Sequence, residues 1–343
     1  MNYSDFRSDT VTKPTDRMRK AMYEAEVGDD VLGDDPTVKK LEEIAAEKIG
    51  KESALFVPSG SMGNAICVKL WTKEGDEVIV EERSHIYNIE LGNLSVISRV
   101  LPRPVPSRRG EMAPIDVERA IRKKGLTSNE TSLICLENTH NFWSGAVVSV
   151  ENFREIRKIA QRNNIKIHLD GARIFNASIA KKIPVTEWTS LVDSVMFCLS
   201  KGLSAPIGSI VAGSKEFIEE ARRVRKLLGG GMRQVGVIAS AGIVALQEMI
   251  ERLEEDHILA KKLANGLAEI KGVELDPKDV ETNIIIFKIK RNGISAPKFV
   301  EMLKEKGILA LSISEDEVRF CTHKDVNEKD VERALKACRE ILQ

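Results

Sequence analysis

Two residues near the middle of the chain, Asp170 and Lys201, stand where buried strands would end in reactive groups. The segment Lys166-Ile167-His168-Leu169-Asp170-Gly171-Ala172-Arg173 reads as a short apolar strand that terminates in a carboxylate, a glycine and a guanidinium. Residues 194–199 read as the next strand and run straight into Ser200-Lys201-Gly202. A lysine there is costly to bury in its charged form, and desolvation lowers its pKa toward the free amine that attacks carbonyl groups. One strand–helix–strand unit separates the pair, so both can lie side by side at one sheet edge. Each also has a plainer reading: Asp170 as the cap of the following helix, Lys201 as a snorkelling surface residue.

Other segments add to these two. Phe56-Val57-Pro58-Ser59-Gly60-Ser61-Met62-Gly63-Asn64 is a small-residue turn feeding a helix, which offers backbone N–H groups and hydroxyls to an anion. It lacks the lysine of a P-loop and the spacing of a dinucleotide fingerprint, so a single phosphate fits it better, with a simple serine cap as the other reading. Gly229-Gly230-Gly231 precedes Met232 and Arg233, a flexible close approach followed by a cation, or else a plain hinge. His85, after an apolar run, offers a flat ring or a base, or is a satisfied loop residue. The histidines show no i, i+4 partner and no neighbouring cysteine, so no metal centre is expected. An amine, an acid, donors for one phosphate and spare arginines are together what pyridoxal 5′-phosphate requires.

Holding such groups in place calls for a scaffold of alternating elements. Residues 77–80, 96–101, 132–136, 166–169, 194–199 and 209–212 are short apolar runs rich in β-branched residues, and 114–124 and 150–163 are amphipathic stretches between them. This grammar predicts an α/β fold with a mostly parallel, seven-stranded central sheet, helices on both faces, and ligands at the carboxyl ends of the strands. Upstream, 36–49 reads as a helix closed by Gly50, and Pro14 as the first turn of an earlier one through Met18 and Met22. Residues 235–246 read as a buried helix, short of the roughly 20 apolar residues a membrane span needs. The tail alternates strand-like runs (283–289, 309–313, 318–321) with helical ones (296–306, 325–342), as a smaller α+β domain would. The expected division is an N-terminal arm over 1–35, a large domain over 36–247 and a small C-terminal domain over 248–343.

The chain has 343 residues, enough for about two domains at roughly 150 each. With 42% hydrophobic and 30% charged residues it falls outside the disordered and fibrous classes. Lys plus Arg and Asp plus Glu both number 52. The net charge is therefore zero, and no global field favours nucleic acid or an anionic membrane. Five cysteines without a CxxC pair suit neither a disulfide framework nor a zinc ribbon, and the first residues carry no apolar leader. Reduced thiols and a cytoplasmic location are expected.

Several longer strings carry a family resemblance: RSDTVTKPT at 7–15, EVGDDVLGDDPTV at 26–38, LFVPSGSMGN at 55–64, ENTHN at 137–141, HLDGARIFNA at 168–177, SVMFCLSKGLSAPIGS at 194–209 and LGGGMRQ at 228–234. In these the chain resembles the low-specificity L-threonine aldolases, fold-type I enzymes of the aspartate aminotransferase-like group. The resemblance implies a pyridoxal-phosphate enzyme that cleaves L-threonine or L-allo-threonine to glycine and acetaldehyde. It implies that Lys201 holds the cofactor covalently, Asp170 pairs with the pyridine nitrogen, and Gly60 and Ser61 bind the phosphate. Arg233 would reach that phosphate from a neighbouring subunit of a homo-oligomer, at least a dimer and expected to be a tetramer. His85 would stack on the ring and take the β-hydroxyl proton, directly or through a water. Ser8, Arg173 and Arg319 would hold the substrate carboxylate, and Glu90 matches an acid near the reacting side chain. Two positions depart from the family pattern: Leu126-Thr127-Ser128 aligns where relatives often carry a histidine that contacts the β-hydroxyl, and Phe142-Trp143 follows ENTHN where many have small and basic residues. The first predicts weak discrimination between threonine diastereomers, the second a reshaped aldehyde pocket. Another reaction on the same cofactor, β-elimination or hydroxymethyl transfer, is the neighbouring enzymatic alternative, and an idle binding relative is the non-enzymatic one.

Overall fold

A computed structural model describes residues 3–291 and 293–342. Its centre is a sheet of seven strands, labelled here β1 (Ser53–Val57), β2 (Glu77–Glu81), β3 (Leu101–Val105), β4 (Thr131–Glu137), β5 (Lys166–Asp170), β6 (Ser194–Cys198) and β7 (Ser209–Gly213), in the spatial order β1-β7-β6-β5-β4-β2-β3. The pairs β6–β5, β5–β4, β4–β2 and β2–β3 are parallel, and β7 runs antiparallel to both its neighbours. Strands such as β2, β6 and β7 are buried along their whole length because helices cover both faces, which is why they read as unbroken apolar runs.

The helices begin and end where local chemistry dictates. Helix Pro36–Ile49 starts on Asp35, whose carboxylate accepts from the N–H groups of Thr37 and Val38 at 3.1 and 3.0 Å, and stops at Gly50 with φ 67°. Helix Gly60–Trp71 is capped by Ser59, which accepts from Met62 N at 3.2 Å. Helix Val150–Asn163 forms over the expected residues, and the apolar segment near 240 is the buried helix Gly236–Glu248.

Some expectations required correction. The run 96–101 is not a strand: it follows the short helix Asn93–Val96, and the strand starts at Leu101. β3 contains Pro102 and Pro104, which lack the N–H that a central strand needs. It is tolerated because it lies at the sheet edge and pairs with β2 alone. Helix Pro114–Ala120 stops short of 124, helix Asp16–Tyr23 begins after its cap Thr15 with Pro14 outside it, and 309–313 is split between the strands Ile308–Leu309 and Leu311–Ser312.

Beyond helix Leu253–Ala268 the chain forms a second sheet of β8 (Val273–Glu274), β9 (Ile284–Ile289), β10 (Leu311–Ser312) and β11 (Glu317–Cys321), antiparallel in the order β8-β9-β11-β10. Its apolar cluster recruits Phe6 from the start of the chain, stacked on Phe320 with ring centroids 5.5 Å apart. Ser4–Asp5 pairs in parallel with Ile308–Leu309 as a separate two-stranded ribbon, and Cys321 N donates to Phe6 O at 2.8 Å, which ties residues 4–6 to this smaller sheet. Among the described residues no helix is long and apolar enough to cross a membrane.

Candidate active site

β5 and β6 are neighbours in register, with Asp170 opposite Met196, so the acid sits at the carboxyl end of β5 while β6 continues to Cys198 and then to Lys201. Gly171 N donates to Met196 O at 2.8 Å and Ala172 N to Asp170 Oδ1 at 3.1 Å, which closes the turn and fixes the carboxylate. Helix Gly60–Trp71 points its N-terminus at the same strand ends. A Cβ at Gly60 would come within 3.1 Å of Cys198 Sγ and 3.2 Å of Met196 Cε, so any other residue there would require those side chains to give by a few tenths of an ångström.

Two cavities meet here and share Lys201 and His85. The smaller, about 160 Å³, has Ser59, Gly60 and Ser61 at one end and Asp170 and Glu90 at the other. The larger, about 430 Å³, is bounded by Ser8, Asn141, Phe142, Arg173 and Arg319. A third cavity of about 480 Å³, lined by Arg108, Arg109 and Lys181, holds none of the expected site residues.

The floor of the smaller cavity is a set of satisfied polar contacts. Asn64, fully buried, donates to Asp170 Oδ2 at 2.9 Å and to Glu90 Oε1 at 2.8 Å. Glu90 Oε1 also lies 3.0 Å from His85 Nδ1. One nitrogen of His85 and one oxygen from each of Glu90 and Asp170 all fall within 4.8 Å of one another. Burial alone would lower the His85 pKa, but the Glu90 hydrogen bond and the charges of Asp170 and Glu137 outweigh it and raise the value. Glu137 also holds the chain in place, accepting from His85 N at 2.6 Å and from Asn141 N at 2.8 Å.

The wall of the larger cavity contains two buried arginines. Arg173 is clamped by Asp9, with Nε to Oδ2 at 2.7 Å and Nη2 to Oδ1 at 2.6 Å, and Asn283 donates to the same carboxylate at 3.1 Å. Burial works against both charges, yet each partner holds the other ionised: Asp9 stays far below the usual carboxylate range and Arg173 rises. Arg319, on β11, is different. Its Nε and Nη2 are buried with no hydrogen-bond partner among the described residues, and burial, reinforced by the Arg173 charge, pushes its pKa down.

Most of the sequence-predicted residues thus come together: Ser8, Gly60, Ser61, His85, Asp170, Arg173, Lys201 and Arg319 all line the two cavities. Arg233 does not. It is exposed and bonds Asp29 at 2.8 Å. Thr127, expected near the β-hydroxyl, lies in an exposed stretch beside Leu126 and lines neither cavity; Phe142 lines the larger one, and Trp143 turns away to Glu81 and Arg83. Asn64, His168, Asp9 and Glu137 were missed as functional residues. Each sits inside a quoted motif, but a buried asparagine or a buried acid declares its role only through partners distant in sequence.

The residues fit pyridoxal 5′-phosphate. Gly60 leaves open a cradle that a Cβ would fill, with N–H groups and hydroxyls suited to one phosphate. Asp170 offers a carboxylate, Lys201 an amine, and Arg319 two buried donor atoms with no hydrogen-bond partner among the described residues.

Comparison with known proteins agrees with this donor set. Residues 5–290 match the beta-eliminating lyase family. Low-specificity L-threonine aldolase 1 of Arabidopsis thaliana is 47% identical over 347 residues, covering 100% of this chain and 97% of the relative. Low specificity L-threonine aldolase of Escherichia coli (strain K12) is 38% identical, covering 98% and 99%. The solved structure of Leishmania major threonine aldolase shares the fold, with a TM-score of 0.83 over 99% of both chains at 17% identity.

Proposed function

The chain belongs to the beta-eliminating lyase family and, within it, to the low-specificity L-threonine aldolases, and from that premise we propose that it is a pyridoxal-phosphate-dependent aldehyde-lyase cleaving L-threonine and L-allo-threonine to glycine and acetaldehyde. The observation that carries this reading is the convergence of Lys201, Asp170 and the unpartnered donors of Arg319 on one pair of joined cavities.

When bound, the cofactor supplies a sink for the electron pair released at Cα. Lys201 would hold it covalently, Asp170 would face its ring nitrogen, Gly60 and Ser61 would take its phosphate, and His85 would cover its face. Arg319 would bind the substrate carboxylate, with Arg173 and Ser8 beside it. Asp9, Arg173 and Arg319 together carry one excess positive charge in a buried wall, which an α-carboxylate neutralises. Fixing that carboxylate orients the bond to be broken. His85 bonds Glu90 through Nδ1, so Nε2 is the atom left to receive the β-hydroxyl proton, directly or through a water.

A homo-oligomer, at least a dimer and in our reading a tetramer, completes this picture. Gly230 abuts Met62, Gly231 abuts Val31, and Asn93 donates to Ser61 O at 3.2 Å. Leu32, Leu91, Leu227 and Arg233, each within three residues of one of these contacts, are all exposed, and a second copy would cover the leucines and lend its arginine. All five cysteines are free and buried, which supports a reducing, cytoplasmic setting.

Incubation of the purified protein and cofactor with L-threonine, L-allo-threonine and L-serine tests the reaction. Acetaldehyde and glycine are expected, whereas pyruvate or 2-oxobutyrate would assign β-elimination instead. Borohydride trapping followed by peptide mapping should place the pyridoxyl group on Lys201.

A further inference from the structure

Beneath the smaller cavity runs a line of hydrogen bonds whose direction is set from its acidic end. Carboxylates only accept, so the edge of Asn64 facing Asp170 and Glu90 must be its amide nitrogen, and its oxygen must face His168, 3.0 Å away at Nε2. His168 Nε2 therefore carries the proton. Burial pushes the His168 pKa down to about 4, so the ring is neutral and Nδ1 has none. Ser194 Oγ, 3.0 Å from that Nδ1, must donate to it, and accepts in turn from the indole N–H of Trp71 at 2.9 Å. Asn64, His168 and Ser194 are wholly buried, so water cannot substitute for a lost partner.

The other end of the line reaches the reacting side. Glu90 Oε1 accepts from Asn64 and also lies against His85 Nδ1, while Glu90 Oε2 accepts from Asn93 Nδ2 at 3.1 Å. We infer that Asn64 is a positioning residue: held by the His168 N–H in the orientation the two carboxylates impose, its amide ties Asp170 and Glu90 into a single acceptor edge and, through Glu90, turns His85 Nε2 toward the cavity. The inference rests on the cofactor reading of the site and assigns to that reading a residue that touches neither cavity. Turning the amide over would set its oxygen against two carboxylates, which is what forbids that orientation, and the His168 N–H donating to Oδ1 holds the amide in the allowed one.

Release of cofactor from the holoenzyme on dilution, followed by absorption, tests the lock without relying on turnover. His168→Leu removes the N–H that pins Asn64 and should weaken cofactor retention by about tenfold, the upper range for one neutral hydrogen bond. His168→Gln can still donate to Asn64 Oδ1 and should stay within about threefold of wild type, less than the loss of one neutral hydrogen bond. Should His168→Leu fail to fold, Asn64→Asp carries the test: it keeps the shape, replaces both donated bonds with repulsion, and should lose at least as much. Wild-type retention in folded His168→Leu or Asn64→Asp, or a glutamine variant no better than the leucine one, overturns the inference alone. A wild-type protein that holds no pyridoxal phosphate overturns the reading of the site and this inference with it.

Discussion

Arg173 and Arg319 border the same cavity, are buried to nearly the same degree, and are bonded in opposite ways. Arg173 has its guanidinium matched by both oxygens of Asp9; Arg319 keeps two N–H-bearing atoms that bond nothing among the described residues. Pairing returns much of the desolvation cost of a buried charge. One that is left open is a cost retained for binding. The difference separates the arginine that builds the wall from the one that waits for a ligand, which burial alone would not reveal.

The largest expected effect comes from breaking the finished pair. Asp9→Ala should destabilise the protein by about 3–5 kcal/mol in denaturant unfolding, because Arg173 is left uncompensated beside Arg319. Arg319→Met should act in the reverse sense: the ligand-free protein melts no lower than wild type, while kcat/KM for L-threonine falls by about 10²–10³, or roughly 3–4 kcal/mol of transition-state stabilisation. A melting temperature lowered as far as that of Asp9→Ala would show that both arginines are structural.

The same contrast marks what sequence could and could not disclose. The central strands and the helix Pro36–Ile49 were legible because apolar periodicity and end caps are local signals, and Lys201 and Asp170 were legible because strand ends are. β3 was not, since its prolines argue against a strand until an edge position is known. Asp9 stood inside a quoted motif, yet nothing nearby predicts that it meets Arg173 across 164 residues. The Asn64–His168–Ser194 line is likewise built from single residues on different elements, and Thr127 was placed near chemistry from which its loop is removed. Alignment of a motif gives a residue's address on the chain; it does not give its partners.

Acid should separate the two sides of the site. The Asp9–Arg173 wall survives mild acid, because Arg173 holds the Asp9 pKa far below the usual carboxylate range despite its burial. The floor does not, because burial lowers the His168 pKa from 6.5 to about 4. The unfolded chain therefore takes up this proton first, so the contribution of neutral His168 is present above pH 6.5 and is lost as pH falls toward 4, on the order of 3 kcal/mol. His257, lowered by burial to about 4, acts in the same direction, and Asp256, raised by burial to about 6, acts in the opposite one. A difference measurement isolates His168: unfolding of wild type and His168→Gln across that window should converge by about that amount, and parallel curves would show that His168 is not the titrating group.

The smallest expected effect on the fold belongs to the third arginine, Arg233. Its bond to Asp29 lies on an exposed side chain, and solvent-screened surface pairs contribute little. Arg233→Ala should therefore leave the melting temperature of the cofactor-free protein within about 2 °C of wild type. If the exposed rim is covered by a second copy, the same substitution should still weaken cofactor retention, since the arginine would then be completing a neighbour's phosphate site. Mixing Arg233→Ala chains with Lys201→Ala chains decides between the two. In a shared site, one combination unites an intact Lys201 from the first chain with an intact Arg233 from the second, and activity absent from either parent returns. Mixed oligomers that stay inactive would confine Arg233 to its surface pair with Asp29.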